Sequence, residues 1–280
     1  MIAKLFIKLF KPIVECFPRL ASFWRNLRDQ LDLVKRPKIT PWGFKLAGNA
    51  TMAQGTFEPI ETSFVRNTLK NIDILVNVGA NIGYYCCHAL SMGKSVIAFE
   101  PIPRNLSYLC KNIKNNNWAC AEIYPIALSN DVGVIEIYGG NTGASLVRGW
   151  ANTPESYSSL VPCSTMDIVL GTRLRGQRAL ILIDVEGAEK WVLEGANLMI
   201  TNDPKPIWLV EIVAKDHQPS GIDMNPHFMS TFELFFQNGY DAFIVDQEMQ
   251  PITIEDIELI SKGSLELGTY NFLFQESNNR

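Results

Sequence analysis

Residues 74–89 read ILVNVGANIGYYCCHA. The apolar run over 72–78 has the pattern of a strand buried on both faces. Gly79 and Gly83 punctuate the turn that follows, and 83–92 reads as a helix. A strand, a glycine-bearing turn and a helix in this order open a parallel α/β sheet. Such a turn lets backbone approach a ligand, and its N–H groups at the helix N-terminus favour an anion.

The same punctuation repeats outward. Strands are expected over 95–99, 121–126, 179–184 and 207–212, and helices over 103–115, 189–199 and 225–238. Segments 134–138 and 160–163 read as antiparallel strands of an insertion, and 242–245 with 271–274 as a terminal hairpin. Upstream, 57–69 predicts a helix. Residues 35–55 predict a linker with a short hairpin, its turn at Gly48-Asn49. The sum is an α/β fold, a mostly parallel seven-stranded sheet with a C-terminal antiparallel strand. Ligands in such sheets bind outside the carboxyl ends of the strands, where strand order reverses.

The residues after each strand therefore matter most. The dinucleotide fingerprint is G-x-G-x-x-G. Here its second glycine is Asn81 and its third is Tyr84. Both changes oppose a pyrophosphate, and with it an NAD-type oxidoreductase, and leave room for a smaller head such as a methionine carboxylate. Glu100 ends the second strand, where a carboxylate accepts hydrogen bonds from both hydroxyls of a ribose. That feature alone does not separate NAD from an adenosyl cofactor.

NVGANIGYY, AFEPIPRN and LILIDVEGAEKWVLEGA, in that order, resemble the FkbM family of S-adenosylmethionine-dependent methyltransferases. Upstream GFKLAGNATMAQGTFEPIE and downstream NPHFMSTFELFFQNGYDAF are similar to flanking family segments, so the resemblance covers roughly 40–275. It implies a class I methyltransferase Rossmann-like fold, S-adenosylmethionine as cofactor, and O-methylation of a sugar, glycan or polyketide-like hydroxyl. It further implies that Asn77, Gly79, Ala80, Asn81 and Gly83 serve the methionine end, and that Glu100 with Pro101 serves the ribose. Ala127 and Leu128 would close the adenine pocket beside Ile102 and Leu106, and Phe57 and Glu58 belong to a helix covering the cofactor. The family usually has aspartate where this chain has Asn77. The amide keeps an acceptor and loses a charge, a difference of about 1 kcal/mol in a hydrogen bond.

IDVEGAE sets Asp184, Glu186 and Glu189 around one strand-to-helix turn, with Gly187 at the bend. Glu211 ends the neighbouring strand, so Asp184 and Glu211 are expected to face one cleft. Methyl transfer to oxygen needs in-line positioning and a base for the acceptor proton. Asp184 is the first candidate. Glu186 and Glu211 are candidates for binding acceptor hydroxyls, and His217 is the alternative base. Glu189 suits a first helical turn, where acids favour the dipole. Isolated His227 reads as a loop or surface residue. The strand-end carboxylates would also suit Mg²⁺ with a substrate diol. That reading is not favoured, and no metal site is assigned. The loop-rich stretch 139–156, GGNTGASLVRGWANTPES, suits either a substrate lid that uses Asn141, Ser145 and Trp150 or a plain surface loop.

Composition sets outer bounds. The chain has 280 residues, 47% hydrophobic and 19% charged, with a formal charge of −4. This is a globular composition, and no nucleic-acid partner is implied. Six cysteines without a C-x-x-C pair argue against zinc and for reduced thiols in a cytoplasmic protein. Lys4, Lys8, Lys11, Arg19, Arg25, Arg28, Lys35 and Arg36 outnumber Glu15, Asp29 and Asp32, and Ile2, Leu5, Phe6, Leu9, Ile13 and Phe17 recur at helical spacing. Residues 1–36 therefore read as a basic amphipathic helical arm, too charged to be a signal peptide or to span a bilayer. It suits packing on its own domain, a homodimer contact, or a peripheral membrane surface near a lipid-linked substrate. The expected division is 1–36 arm, 37–70 linker and cofactor-covering helix, and 71–280 methyltransferase domain. A non-catalytic cofactor-binding protein of the same fold is the remaining alternative.

Overall fold

The computed structural model describes residues 36–140 and 142–277. Apart from Arg36, the predicted basic arm lies outside the described residues. The described chain opens with a hairpin, β1 (Lys38–Ile39) antiparallel to β2 (Lys45–Leu46). Its turn is at 41–43, closed by Gly43 N–H donating to the Thr40 carbonyl at 3.0 Å. The expected turn at Gly48-Asn49 is something else. The Asn49 side chain accepts from the Thr51 and Met52 amides and caps α1 (Ala50–Gln54).

After α2 (Pro59–Leu69) the elements alternate: β3 (Ile74–Val78), α3 (Tyr84–Ser91), β4 (Ser95–Phe99), α4 (Pro103–Asn115) and β5 (Ala121–Tyr124). The expected strand over 121–126 stops at Pro125, which has no N–H to give a ladder. The chain then leaves the main sheet. β6 (Ala127–Leu128), β7 (Gly133–Tyr138) and β8 (Ser158–Ser164) form a separate three-stranded sheet, with β7 antiparallel to β8 and β6 parallel to it. The main sheet resumes after α5 (Met166–Leu170) with β9 (Ala179–Ile183), α6 (Glu189–Glu194), α7 (Asn197–Ile200) and β10 (Ile207–Glu211). The last elements are α8 (Phe228–Gln237), β11 (Tyr240–Ile244), β12 (Pro251–Ile252), α9 (Ile254–Ser261) and β13 (Asn271–Glu276). The single helix expected over 189–199 is broken between α6 and α7 at Gly195. A Cβ there would lie 2.3 Å from the Ser129 carbonyl oxygen, at the end of β6.

The main sheet runs β12-β11-β13-β10-β9-β3-β4-β5. Its centre, β10 through β5, is parallel, and β13 is antiparallel to both β10 and β11. This is the α/β class expected, a parallel sheet with a C-terminal antiparallel strand. It has eight strands rather than seven because the two-residue β12 pairs with β11 through Ala242 and Ile252. The terminal pair is not a simple hairpin, since β12 and α9 intervene.

Every residue of β3 and β9 is buried, because helices cover both faces. Ile74, Val76 and Val78 face a core built with Trp208, Phe232 and Phe274. Leu75 faces the second core, with α2, α3, α4 and the hairpin. Phe235 and Phe274 stack with centroids 3.8 Å apart, so α8 is fixed to β13 by aromatic contact. Among the described residues no helix is long and apolar enough to cross a membrane.

Candidate active site

Strand order reverses beside β3, since β4 lies on one side of it and β9 on the other. A cleft of about 560 Å³, open mouth included, sits at the carboxyl ends of these strands. One wall comes from the β3–α3 turn and Glu100, one from β6, and one from the β9–α6 turn.

The glycine turn is closed on itself. Gly79 and Ala80 N–H groups both donate to the Phe99 carbonyl, at 3.0 and 2.9 Å, and Gly83 N–H donates to the Ala80 carbonyl at 2.8 Å. Asn81 N–H donates to Glu100 Oε2 at 2.7 Å. The amides of Gly79, Ala80, Asn81 and Gly83 are thus occupied, and these four are not free donors for an anion. Gly79 has φ +78, and a Cβ there would lie 1.8 Å from the Asp184 carbonyl oxygen. Its missing side chain accommodates the neighbouring strand rather than a ligand. Gly79 and Asn81 still line the cleft, and the Asn81 Oδ1 is buried without a partner. Asn77, Ala80 and Gly83 do not line it. Asn77 points to the α3 side, its amide donating to Cys86 Sγ at 3.5 Å. Ala80 is buried in the core beneath α3. Gly83 makes room for α4, since a Cβ there would meet Leu109 Cδ1 at 2.4 Å.

Glu100 and Pro101 line the same cleft, with Ile102, Ala127 and Leu128. Glu100 is only 3% exposed. Its Oε1 accepts from the Ile102 amide at 2.8 Å, and the Asn105 side chain adds a further bond. Burial pushes its carboxyl up to about 7 against the pull of these donors. Leu106 does not line the cleft. Asn105 does, and sequence reasoning missed it. Its position on the first turn of α4, three residues beyond Ile102, turns it back toward Glu100.

Opposite Glu100, Asp184 and Glu186 line the cleft. Asp184 and Glu211 lie within hydrogen-bond reach, as adjacent parallel strand ends should. Burial and the neighbouring Glu211 and Glu186 carboxylates push Asp184 well above the ordinary carboxyl range. Burial and Glu186 push Glu211 up to about 8, and the bond with Asp184 pulls it down. Burial and mutual repulsion thus favour the neutral form of each carboxyl while the other is charged. Glu58 adds to this field from the start of α2. Burial raises its carboxyl while the Tyr85 hydroxyl, donating at 2.7 Å, lowers it. Phe57 packs edge-on against Tyr84, with centroids 5.5 Å apart. Glu189 is 2% exposed and turned to its own backbone, accepting from the Gly187 amide at 2.9 Å. Burial pushes it up to about 8.

Glu186 ties the insertion to this turn. Its Oε2 accepts from Trp150 Nε1 at 2.9 Å, and its carbonyl accepts from Ser145 Oγ at 2.5 Å. Burial raises its carboxyl, and the Trp150 bond lowers it. Gly187 lies under the Trp150 ring, with φ +96 and no space for a Cβ. Ser145 and Trp150 are each 1% exposed, so they anchor the insertion and do not face an acceptor. Asn141 lies outside the described residues. Thr142, Ala144 and Leu146 line the cleft instead. His217 is exposed, its ring 5.9 Å from that of Trp150, on the Glu186 side of the site. His227 pairs with the Trp191 ring at 6.3 Å, away from the cleft lining. Among the described residues no three His, Cys, Asp or Glu side chains converge as ligands for a metal ion.

The model of the Methyltransferase FkbM domain matches residues 77–241, more than half of the chain. Among solved structures the chain is similar to precorrin-6y C5,15-methyltransferase from Geobacter metallireducens GS-15, at 10% identity over 83% of this chain and 95% of that one, TM-score 0.40. It is similar also to ribosomal protein L11 methylase from Lactobacillus delbrueckii subsp. bulgaricus, at 7% identity over 82% and 81%, TM-score 0.40. A third is an rRNA methylase from Streptococcus thermophilus, at 12% identity over 78% and 95%, TM-score 0.39. Comparison with curated proteins finds no match.

Proposed function

The chain belongs to the FkbM methyltransferase family, and from that premise we propose that it is an O-methyltransferase acting on a hydroxyl of a sugar, glycan or polyketide-like acceptor. S-adenosylmethionine, the methyl donor that the family implies, would supply an electrophilic methyl on a sulfonium. The observation that carries the reading is one cleft with Glu100 on one wall and the Asp184–Glu211 pair beside the opposite wall.

The residues present fit such a donor. The partnerless Asn81 Oδ1 is an acceptor that a ligand ammonium would satisfy. Glu100 keeps a lone pair for a ribose hydroxyl beside the three donors it already accepts from, and Ile102, Ala127 and Leu128 give an apolar seat for a base. The carboxylates of Asp184, Glu186, Glu211 and Glu58 make the far end negative, which favours a cation there.

The chain's own work is then positional and protolytic. The Asp184–Glu211 pair, in its ionised form, takes the proton of the acceptor hydroxyl as its oxygen becomes bonded to carbon. Glu186 and His217 stand at the acceptor side, where Glu186 also holds Trp150 and so fixes the wall that keeps water out.

Calorimetric titration with S-adenosylhomocysteine and, separately, NADH tests the cofactor. Labelled-methyl transfer to hydroxyl-bearing glycan and polyketide extracts tests the reaction, with Asp184→Ala as the control. Wild-type protein that takes up no S-adenosylhomocysteine at millimolar concentration overturns the assignment. Binding without transfer to any hydroxyl acceptor overturns the O-methylation and favours a non-catalytic relative.

A further inference from the structure

Glu100 is held by more than its own strand. Asn81 N–H and Ile102 N–H grip one oxygen each, and both belong to backbone that frames the cleft. The third donor is a side chain. Asn105 is 2% exposed, lines the cleft, and bonds the carboxylate from the first turn of α4. Its own Oδ1 accepts from Arg104 Nη1 at 3.4 Å, so the amide is oriented with its NH₂ toward Glu100. The Arg104 guanidinium lies 5.2 Å from the centroid of the buried Tyr108 ring, which braces it in turn. A chain of contacts thus runs from Tyr108 through Arg104 and Asn105 to Glu100.

We propose that Asn105 is a positioning residue, held by Arg104, that keeps the Glu100 carboxylate ionised and aimed so that its remaining lone pair accepts from a hydroxyl of the cofactor ribose. The proposal rests on the methyltransferase reading for its ligand; the link between Asn105 and Glu100 rests on their hydrogen bond and on the buried cleft wall they share. The physical reason is that a carboxylate keeps every lone pair for accepting, whereas a carboxylic acid spends one oxygen as a donor. Glu100 is deeply buried and would be neutral without donors, and each hydrogen bond to its charged form favours ionisation. The other ionisable groups around it do not substitute for Asn105. On α3 the Cys86 thiol is pushed up to about 12 by burial and stays neutral. On β5 the Tyr124 hydroxyl is engaged with Glu122 and Arg173. Across the cleft, Asp184 and Glu186 are acids and offer Glu100 no positive charge.

Two measurements test this. The first needs no ligand. The carboxyl ¹³C shift of Glu100, assigned with Glu100→Gln, is titrated in wild type, Asn105→Ala and Asn105→Asp. Loss of the donor in Asn105→Ala should move the Glu100 midpoint up by about one pH unit. Asn105→Asp keeps the shape and adds a second acid, so it should move the midpoint further; it also serves if the alanine variant folds poorly. The second is adenosine binding by calorimetry between pH 5.5 and 9, since adenosine carries the ribose without the amino-acid charges. Wild-type affinity should rise with pH through about 7. Asn105→Ala should bind about fivefold more weakly at pH 7 and within twofold at pH 9, as a one-unit shift requires.

An unmoved Glu100 midpoint in both variants overturns the proposal even if adenosine binds. A weakening by the same factor at every pH also overturns it, because that is loss of packing only. A shifted midpoint in a protein that binds no adenosine at any pH keeps the Asn105–Glu100 link, overturns the ribose role, and counts against the cofactor reading.

Discussion

Replacing Gly79 by alanine isolates what the glycine turn is for. Gly79 has φ +78, and an added Cβ would sit 1.8 Å from the carbonyl oxygen of Asp184. The nearest ordinary Cβ contacts start at 3.0 Å, so β3 and β9 must part by more than an ångström at their carboxyl ends. Both atoms belong to backbone, so no rotamer change relieves the overlap. Gly93 supplies the control. It has φ +75 and nothing within 4 Å of its would-be Cβ, so Gly93→Ala meets only the left-handed backbone cost. That cost is about 1 kcal/mol. The overlap at Gly79 adds the cost of forcing packed backbone apart, about 1–3 kcal/mol or more. Urea unfolding should therefore show Gly79→Ala less stable than Gly93→Ala by about 1–3 kcal/mol or more. Because the displaced atom belongs to Asp184, methyl transfer should be lost in Gly79→Ala and kept in Gly93→Ala. Equal destabilisation of the two variants would refute the claim that the glycine accommodates a strand. Loss of cofactor binding without loss of stability would return Gly79 to a ligand-contact role.

Three further outcomes follow from the acids and the latch. Asp184→Asn should lower turnover by about 10²–10⁴, as loss of a general base does, with the binding constant for S-adenosylhomocysteine changed far less; equal losses in both would make Asp184 a binding residue. Stability should fall as pH rises from about 5 to 8. Glu100, Glu189 and Glu211 keep protons to about 7, 8 and 8 when folded, and near their ordinary range when unfolded, so the folded state binds more protons across that window. Each such proton gives a slope of about 1.4 kcal/mol per pH unit, and Glu189→Gln should flatten the urea-midpoint profile; a stability that climbs over this window sinks the burial argument. Trp150→Phe removes the Nε1 donor to Glu186 and leaves the ring, so it should cost about 1–3 kcal/mol by thermal or urea unfolding, and an unchanged midpoint would show that the bond does not hold the insertion.

The parallel centre of the sheet was legible because β3, β4 and β9 are nearly continuous apolar runs, each followed by a glycine or an acid. Helix α4 could be read to the residue, with Pro103 at its first position and an apolar stripe behind it. Other features depend on partners far along the chain. Gly79 announces a tight turn, but the atom that demands it belongs to Asp184, and no local pattern contains that distance. Gly83 and Gly195 likewise answer to Leu109 and Ser129. Ser145 and Trp150 have the composition of an acceptor-facing loop, yet both turn inward to Glu186, because a buried hydroxyl and indole N–H need acceptors. Asn105 was invisible for the opposite reason. A helical asparagine carries no signal until Glu100 is known to lie above it. The two-residue β12 is too short to leave a period at all.

The place of β13 bears on how this molecule comes into being. Strands β10 and β11 never touch as ladder partners; each pairs with β13, which follows both in the sequence. Until Asn271–Glu276 has left the ribosome, a nascent chain carries two open strand edges with no template between them. Such edges recruit other chains. Arrival of that late wedge closes both edges in one event, joining β11 to the parallel centre of the sheet.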